Sequence, residues 1–118
     1  MKRPDLSGLG VDLVEVSRIR GLASRSPGFL KKVFTPAELA YSLKSVNKFE
    51  RLAARFAVKE AVIKALDDTS IPLRDIEVEN TLSGRPQVKV KGRPGVALLV
   101  SISHTSKYAV ASVIAFQK

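Results

Sequence analysis

The sequence predicts an α+β fold in which a mostly antiparallel sheet packs on a long apolar central helix. An alternating run opens the chain, a long stretch free of Gly and Pro fills its middle, and two pairs of alternating runs around turn residues close it. Leu9 to Val14 reads as the first strand, with Leu9, Val11 and Leu13 on one face and Gly10, Asp12 and Val14 on the other. The apolar face is read as the core side, so Asp12 leaves the strand away from it. Val16 to Leu22 is expected to be a short helix. Thr35-Pro36-Ala37-Glu38 is a helix start, because Thr35 can cap, Pro36 suits the first helical position and Glu38 completes a capping box. A helix through about Lys44 follows.

Glu50 to Leu66 is rich in Ala, Leu and other helix formers and is expected to be the long helix. At 3.6 residues per turn Arg51, Arg55 and Lys59 make one polar stripe, and Glu60, Lys64 and Asp67 make a second on a different face. The second stripe is bordered by Ala53, Phe56, Ala57 and Ile63. A helix this apolar should be largely buried, which makes Glu60 costly unless something pairs with it. Ile76 to Asn80 and Gln87 to Lys91 look like paired strands around Ser83-Gly84-Arg85-Pro86. Val96 to Ser103 and Tyr108 to Phe116 look like a second pair around Thr105-Ser106-Lys107, with His104 where the third run ends.

With 118 residues, 45% of them hydrophobic and 26% charged, the chain suits one packed domain covering residues 1–118. Its 20 Lys+Arg against 11 Asp+Glu give a formal charge of +9, a field that attracts anionic partners. From Val16 to Phe34 every charged residue is basic: Arg18, Arg20, Arg25, Lys31 and Lys32. The absence of cysteine excludes disulfides and thiol-ligated metals and suits a reducing cytoplasm. No apolar run approaches the roughly 18 residues of a spanning helix, and no signal-peptide core follows Met1, so a soluble, unprocessed chain with no membrane association is expected.

An aspartate inside an apolar strand asks for a cation or a buried donor, or else for a backbone or Arg partner at a strand edge. Glu60 and Lys64 lie four apart and could pair on the helix, a contact worth about 0.2–0.5 kcal/mol, too little to explain a carboxylate between apolar flanks. Two carboxylates, Asp12 and Glu60, are too few for an all-protein calcium cage but match magnesium, which keeps waters and shares phosphate oxygens. Lys64 could then hold a phosphate oxygen. Ser101-Ile102-Ser103-His104-Thr105 places hydroxyls and the one imidazole at a strand end, where they could donate to a phosphate, although a solitary His is commonly structural. Ser103 and His104, as sequence neighbours, point to opposite faces, and no nucleophile elbow is present, which disfavours a serine hydrolase. No P-loop, Rossmann fingerprint or zinc spacing occurs.

Together, Gly8-Leu9-Gly10-Val11-Asp12-Leu13-Val14-Glu15, Arg55-Phe56-Ala57-Val58-Lys59-Glu60-Ala61-Val62-Ile63-Lys64-Ala65 and Ser101-Ile102-Ser103-His104-Thr105 resemble the ordered motifs of holo-[acyl-carrier-protein] synthases, the small single-repeat members of the 4′-phosphopantetheinyl transferase family. The resemblance runs from Gly8 to the C-terminus. It implies transfer of phosphopantetheine from coenzyme A to a serine of an acidic acyl carrier protein. Asp12 and Glu60 match magnesium ligands, and Lys64 matches a lysine near the coenzyme A pyrophosphate. His104 matches a histidine on the same phosphates, and Gly84, Arg85 and Pro86 match a turn near the adenosine 3′-phosphate. Arg18 matches a helix arginine that meets the carrier protein, while Lys59 matches a Lys-Glu pair with no assigned role. The resemblance also implies a homotrimer with active sites shared between subunits. Two places depart from the pattern: Val58 replaces a commoner small residue, and Asp67-Asp68-Thr69-Ser70 stands where a glycine-bearing loop is usual.

The competing class is a non-enzymatic basic module that binds nucleic acid. With no Trp and two Tyr the chain lacks an aromatic-basic platform for stacking bases, and no nucleic-acid partner is expected.

Overall fold

The computed structural model describes residues 5–117 of the chain. Strand β1 (Asp5–Glu15) leads directly into helix α1 (Val16–Arg25), followed by α2 (Phe29–Val33), α3 (Pro36–Leu43) and α4 (Lys48–Leu66). A 3₁₀ turn at Leu73–Asp75 precedes β2 (Ile76–Asn80), β3 (Pro86–Val90), β4 (Ala97–His104) and β5 (Tyr108–Gln117). The strands form two antiparallel sheets, one with order β1-β5-β4 and one made of β2 and β3 alone. The reading of two terminal hairpins therefore holds, but their strands fall into separate sheets and not one. The capping box at α3 is present, with Thr35 Oγ1 accepting from the Glu38 N–H and a Glu38 carboxylate oxygen accepting from the Thr35 N–H. The five-residue α2 was not anticipated, being too short to carry a helical period.

Helix α4 lies across one face of the three-stranded sheet and contacts β1, β5 and β4. The register puts Gly8, Gly10, Asp12 and Val14 on that face together with Ala109, Ala111, Val113 and Ala115 of β5. Small residues here let the helix come close. A Cβ added at Gly8 would collide with the Ala65 carbonyl oxygen, and one at Gly10 with the Ala61 carbonyl oxygen. The expected orientation of β1 is thus reversed: Leu9, Val11 and Leu13 are 67%, 49% and 65% exposed, and the face that carries the glycines and Asp12 is the inner one. Backbone-to-backbone contact, which needs glycine, has outweighed side-chain hydrophobicity in choosing the inward face. A register shift between Leu6 and Gly8 keeps Leu6 on the same outer face as Leu9, so β1 presents four exposed apolar side chains in a row.

The polar stripes on α4 also need correction. Of the expected stripe Arg51, Arg55 and Lys59, the last two are buried and Arg51 is half-buried. Helix α4 ends with Asp67 in the left-handed region at φ 51, a position that favours glycine, and Asp68 accepts from Ser70 and pairs with Arg93.

Because the atom met at Gly10 is backbone and cannot swing aside, Gly10→Ala should cost at least the about 1–3 kcal/mol of stability typical of overpacking and lower the melting temperature sharply. Gly95, where an added Cβ meets nothing within 4 Å, supplies the control: Gly95→Ala should leave the thermal melt unchanged.

Candidate functional site

Rotation about α4 sorts the candidate residues into two groups. At about 100° per residue, Ala57, Ala61 and Ala65 face the sheet, Glu60 and Lys64 flank them on one side, and Arg51 and Arg55 flank them on the other. Sheet order then decides what each flank meets, since β1 and β4 form opposite edges.

On the β1 flank, the Lys64 ammonium donates to Asp12 Oδ1 at 3.1 Å and to the Val11 carbonyl at 3.0 Å. Lys64 thus pairs across to the strand and not along its helix with Glu60. Glu60 is half-buried beside them, and its pKa lies above its ordinary value of 4.5. Burial is the larger cause and the neighbouring Asp12 charge adds to it, while Lys64 and Arg18 pull the other way. Two carboxylates close enough to repel, one of them partly desolvated, form a donor set deficient in positive charge. That chemistry fits a divalent cation completed by water and phosphate oxygens. Among the described residues there is no cluster of three or more His, Cys, Asp or Glu side chains placed to hold a metal. Arg18 on α1 sits over the Phe56 ring at 5.5 Å, near enough to Glu60 to act on its charge.

On the β4 flank, a cavity of about 340 Å³ is lined by His104, Gly84, Pro86, Arg51, Arg55 and Tyr41 among others. Two guanidiniums stack on the Tyr41 ring, with Arg51 Cζ at 4.5 Å and Arg55 Cζ at 4.4 Å from its centroid. Arg55 is 6% exposed and its Nε has no hydrogen-bond partner among the described residues. Desolvation lowers its pKa and outweighs the opposing pull of Tyr41 and the Glu38 charge. His104 Nδ1 lies 3.1 Å from Glu50 Oε1, and because an ionised carboxylate only accepts, that nitrogen carries the proton. Among the described residues neither Arg51 nor Arg55 forms an ion pair with a carboxylate, so the pocket is cationic.

The structure therefore brings Asp12, Glu60 and Lys64 together and brings Gly84, Pro86 and His104 together, but on opposite sides of α4. Lys64 and His104, implied to meet the same phosphates, lie on different flanks: Lys64 bonds to β1 and His104 lines the β4-side cavity. Arg85 lines a different cavity, about 560 Å³, with Thr81, Ser83, Pro86, Leu99 and Ser101. Sequence reasoning passed over Arg51, Arg55 and Tyr41 as pocket residues and Glu50 as the partner of His104. The available signal was a pair of arginines four apart with only Leu52, Ala53 and Ala54 between them.

Between the ordinary and the raised pKa of Glu60 the folded chain binds more protons than the unfolded chain, so stability falls as pH rises through that window. Glu60→Gln should remove this component. In chelator-treated protein its melting temperature should exceed wild type at pH 7, and the difference should shrink toward pH 4.5.

Comparison with known proteins places the chain in a family. A family model described as the 4′-phosphopantetheinyl transferase superfamily matches residues 8–113. A holo-[acyl-carrier-protein] synthase of Thermodesulfovibrio yellowstonii is 48% identical over 111 residues, covering 92% of this chain and 97% of the relative. One from Solibacter usitatus is 40% identical over 119 residues, covering 91% and 95%. The crystal structure of the holo-(acyl-carrier-protein) synthase from Bacillus anthracis in complex with CoA (3′,5′-ADP) superposes with a TM-score of 0.85 at 29% identity, covering 96% of this chain and 98% of that one. That of Helicobacter pylori in complex with coenzyme A gives 0.80 at 27% identity, covering 91% and 98%. With the family model matching residues 8–113 and relatives 40–48% identical over nine-tenths of the chain, the chain belongs to the 4′-phosphopantetheinyl transferase superfamily.

Proposed function

We propose that this chain, acting as one catalytic domain over residues 1–118, transfers 4′-phosphopantetheine from coenzyme A to a serine of an apo-acyl carrier protein, releasing 3′,5′-ADP. The observation that carries this reading is the facing of Asp12 on β1 and Glu60 on α4 with Lys64 bridging to the strand. Asp12 and Glu60 would hold magnesium. When bound there it supplies Lewis-acid neutralisation of charge on the diphosphate.

The chain's own groups perform the rest. The carrier serine oxygen attacks the pantetheine-side phosphorus, the bond from that phosphorus to the bridging oxygen breaks, and the leaving group carries the electron pair away. Glu60, placed beside the reacting phosphorus by the site it would share with Asp12, takes the serine proton. Lys64 turns from Asp12 to a phosphate oxygen. The pocket of Arg51, Arg55 and His104 beside Gly84 and Pro86 suits the adenosine 3′-phosphate, a dianion that would supply a counter-charge.

Since the two groups lie on opposite flanks of α4, one cofactor can reach both when Asp12, Glu60 and Lys64 of one copy face the anion pocket of another. The exposed row of Leu6, Leu9, Val11 and Leu13, with Leu99 exposed on β4, supplies an apolar face for such packing and supports a homotrimer with shared sites. Arg18, Arg20 and Arg25 on α1 with Lys31 and Lys32 on α2 are exposed and offer a positive surface to the acidic carrier protein. Such a reaction serves fatty acid biosynthesis in the cytoplasm. No helix among the described residues is long and apolar enough to cross a membrane.

Incubation with apo-acyl carrier protein, coenzyme A and magnesium should raise the carrier's mass by one phosphopantetheine. Asp12→Ala and Glu60→Ala should each slow this by about 10²-fold or more. Rates near wild type in both variants would reject the proposed chemistry, and salt-steep nucleic-acid binding without any mass shift would favour the basic binding module.

A further inference from the structure

The most deeply buried charges in the molecule lie on neither flank. Lys59 Nζ is 2.8 Å from Glu38 Oε1, and both side chains are fully buried. The ammonium also donates to the Leu73 carbonyl at 3.1 Å and to the Ile76 carbonyl, which gives each of its three protons an acceptor. Glu38 uses both oxygens: Oε1 also accepts from the Thr35 N–H at 2.8 Å, and Oε2 accepts from the Val78 N–H at 2.9 Å. Four elements, α3, α4, the 3₁₀ turn and β2, meet at this one ion pair. Neither side chain reaches solvent, so neither touches substrate.

A buried ion pair is a poor way to gain stability, because well-packed apolar residues of similar volume do as well or better. What apolar residues cannot do is bond backbone. Ile76 and Val78 turn their free carbonyl and N–H away from β3, and β2 has no other strand beside it. A two-stranded hairpin is marginal in isolation. The hairpin that carries Gly84 and Pro86 to the anion pocket is therefore held to α4 at its base through Lys59 and Glu38, while the same helix turn carries Glu60 on its other side.

We propose that Glu38 and Lys59 are positioning residues that fix the β2–β3 hairpin against α4 and so set how Gly84 and Pro86 meet Arg51, Arg55 and His104. This rests on the transferase reading given above and adds that the pair governs recognition of the nucleotide end of coenzyme A and leaves the carrier protein untouched. Lys59, which the resemblance left without a role, takes no part in proton transfer.

The test is the charge-free double variant Glu38→Gln/Lys59→Met, whose glutamine oxygen can still accept from the Val78 N–H. In the folded variant KM for coenzyme A should rise by about tenfold or more, the preference for coenzyme A over dephospho-coenzyme A should fall, and KM for the carrier should stay within about twofold. Unchanged coenzyme A kinetics, or equal losses on both substrates, would overturn the proposal. Should the variant not fold, native-state amide exchange in the wild type decides: Val78 N–H should be among the slowest of the hairpin. Exchange as fast as Ser83 would refute the clamp. A wild type that transfers nothing would defeat the transferase reading alone, since the exchange result does not depend on it.

Discussion

The approach of β1 to α4 is the contact on which the rest of the molecule depends. Gly8 and Gly10 lie against the carbonyls of Ala65 and Ala61 with no room for a Cβ, and the alanines of β5 continue the same low surface beneath the helix. Only at that separation can a half-buried aspartate on the strand share an electrostatic field with a half-buried glutamate on the helix. The stability given up by crowding these acids is the counterpart of the cation that the site is proposed to take. Lys64 partly offsets that cost by sitting on Asp12.

A second consequence follows from where the helix lies. Because α4 crosses the sheet between its two edges, acids and anion-binding cations of one chain are kept apart by the helix that carries both. The separation protects each from the other: Arg55 would otherwise be drawn to Glu60, and the pocket of Arg51, Arg55 and His104 would be filled from within. It also leaves the outer face of β1 apolar and exposed, the surface through which a second copy could bring the halves together.

Much of this was legible in the sequence. The Thr35–Glu38 capping box, the turns at Ser83–Pro86 and Thr105–Lys107 and the long helix were each signalled by local chemistry, and three motifs in order identified the family. Where the sequence misled, the cause was tertiary. Leu9, Val11 and Leu13 read as a core face because alternation reports hydrophobicity, whereas the inward face was chosen by the two glycines beside Asp12. Arg55 and Lys59 read as a solvated stripe because a helical period cannot tell water from a buried partner. The partner of Lys59 lies on α3 and the ring on which Arg51 and Arg55 stack lies on the same helix, distant in sequence from α4's motif. Glu38 was read for its capping role alone, and its second oxygen spans to β2 forty residues on.

The claim beneath all of this is that Asp12 and Glu60 form one divalent-cation site. Isothermal titration of metal-free protein with manganese tests it without any turnover. The account predicts one site per chain in the wild type, weakened at least about tenfold in both Asp12→Asn and Glu60→Gln. Wild-type affinity in either variant would contradict it.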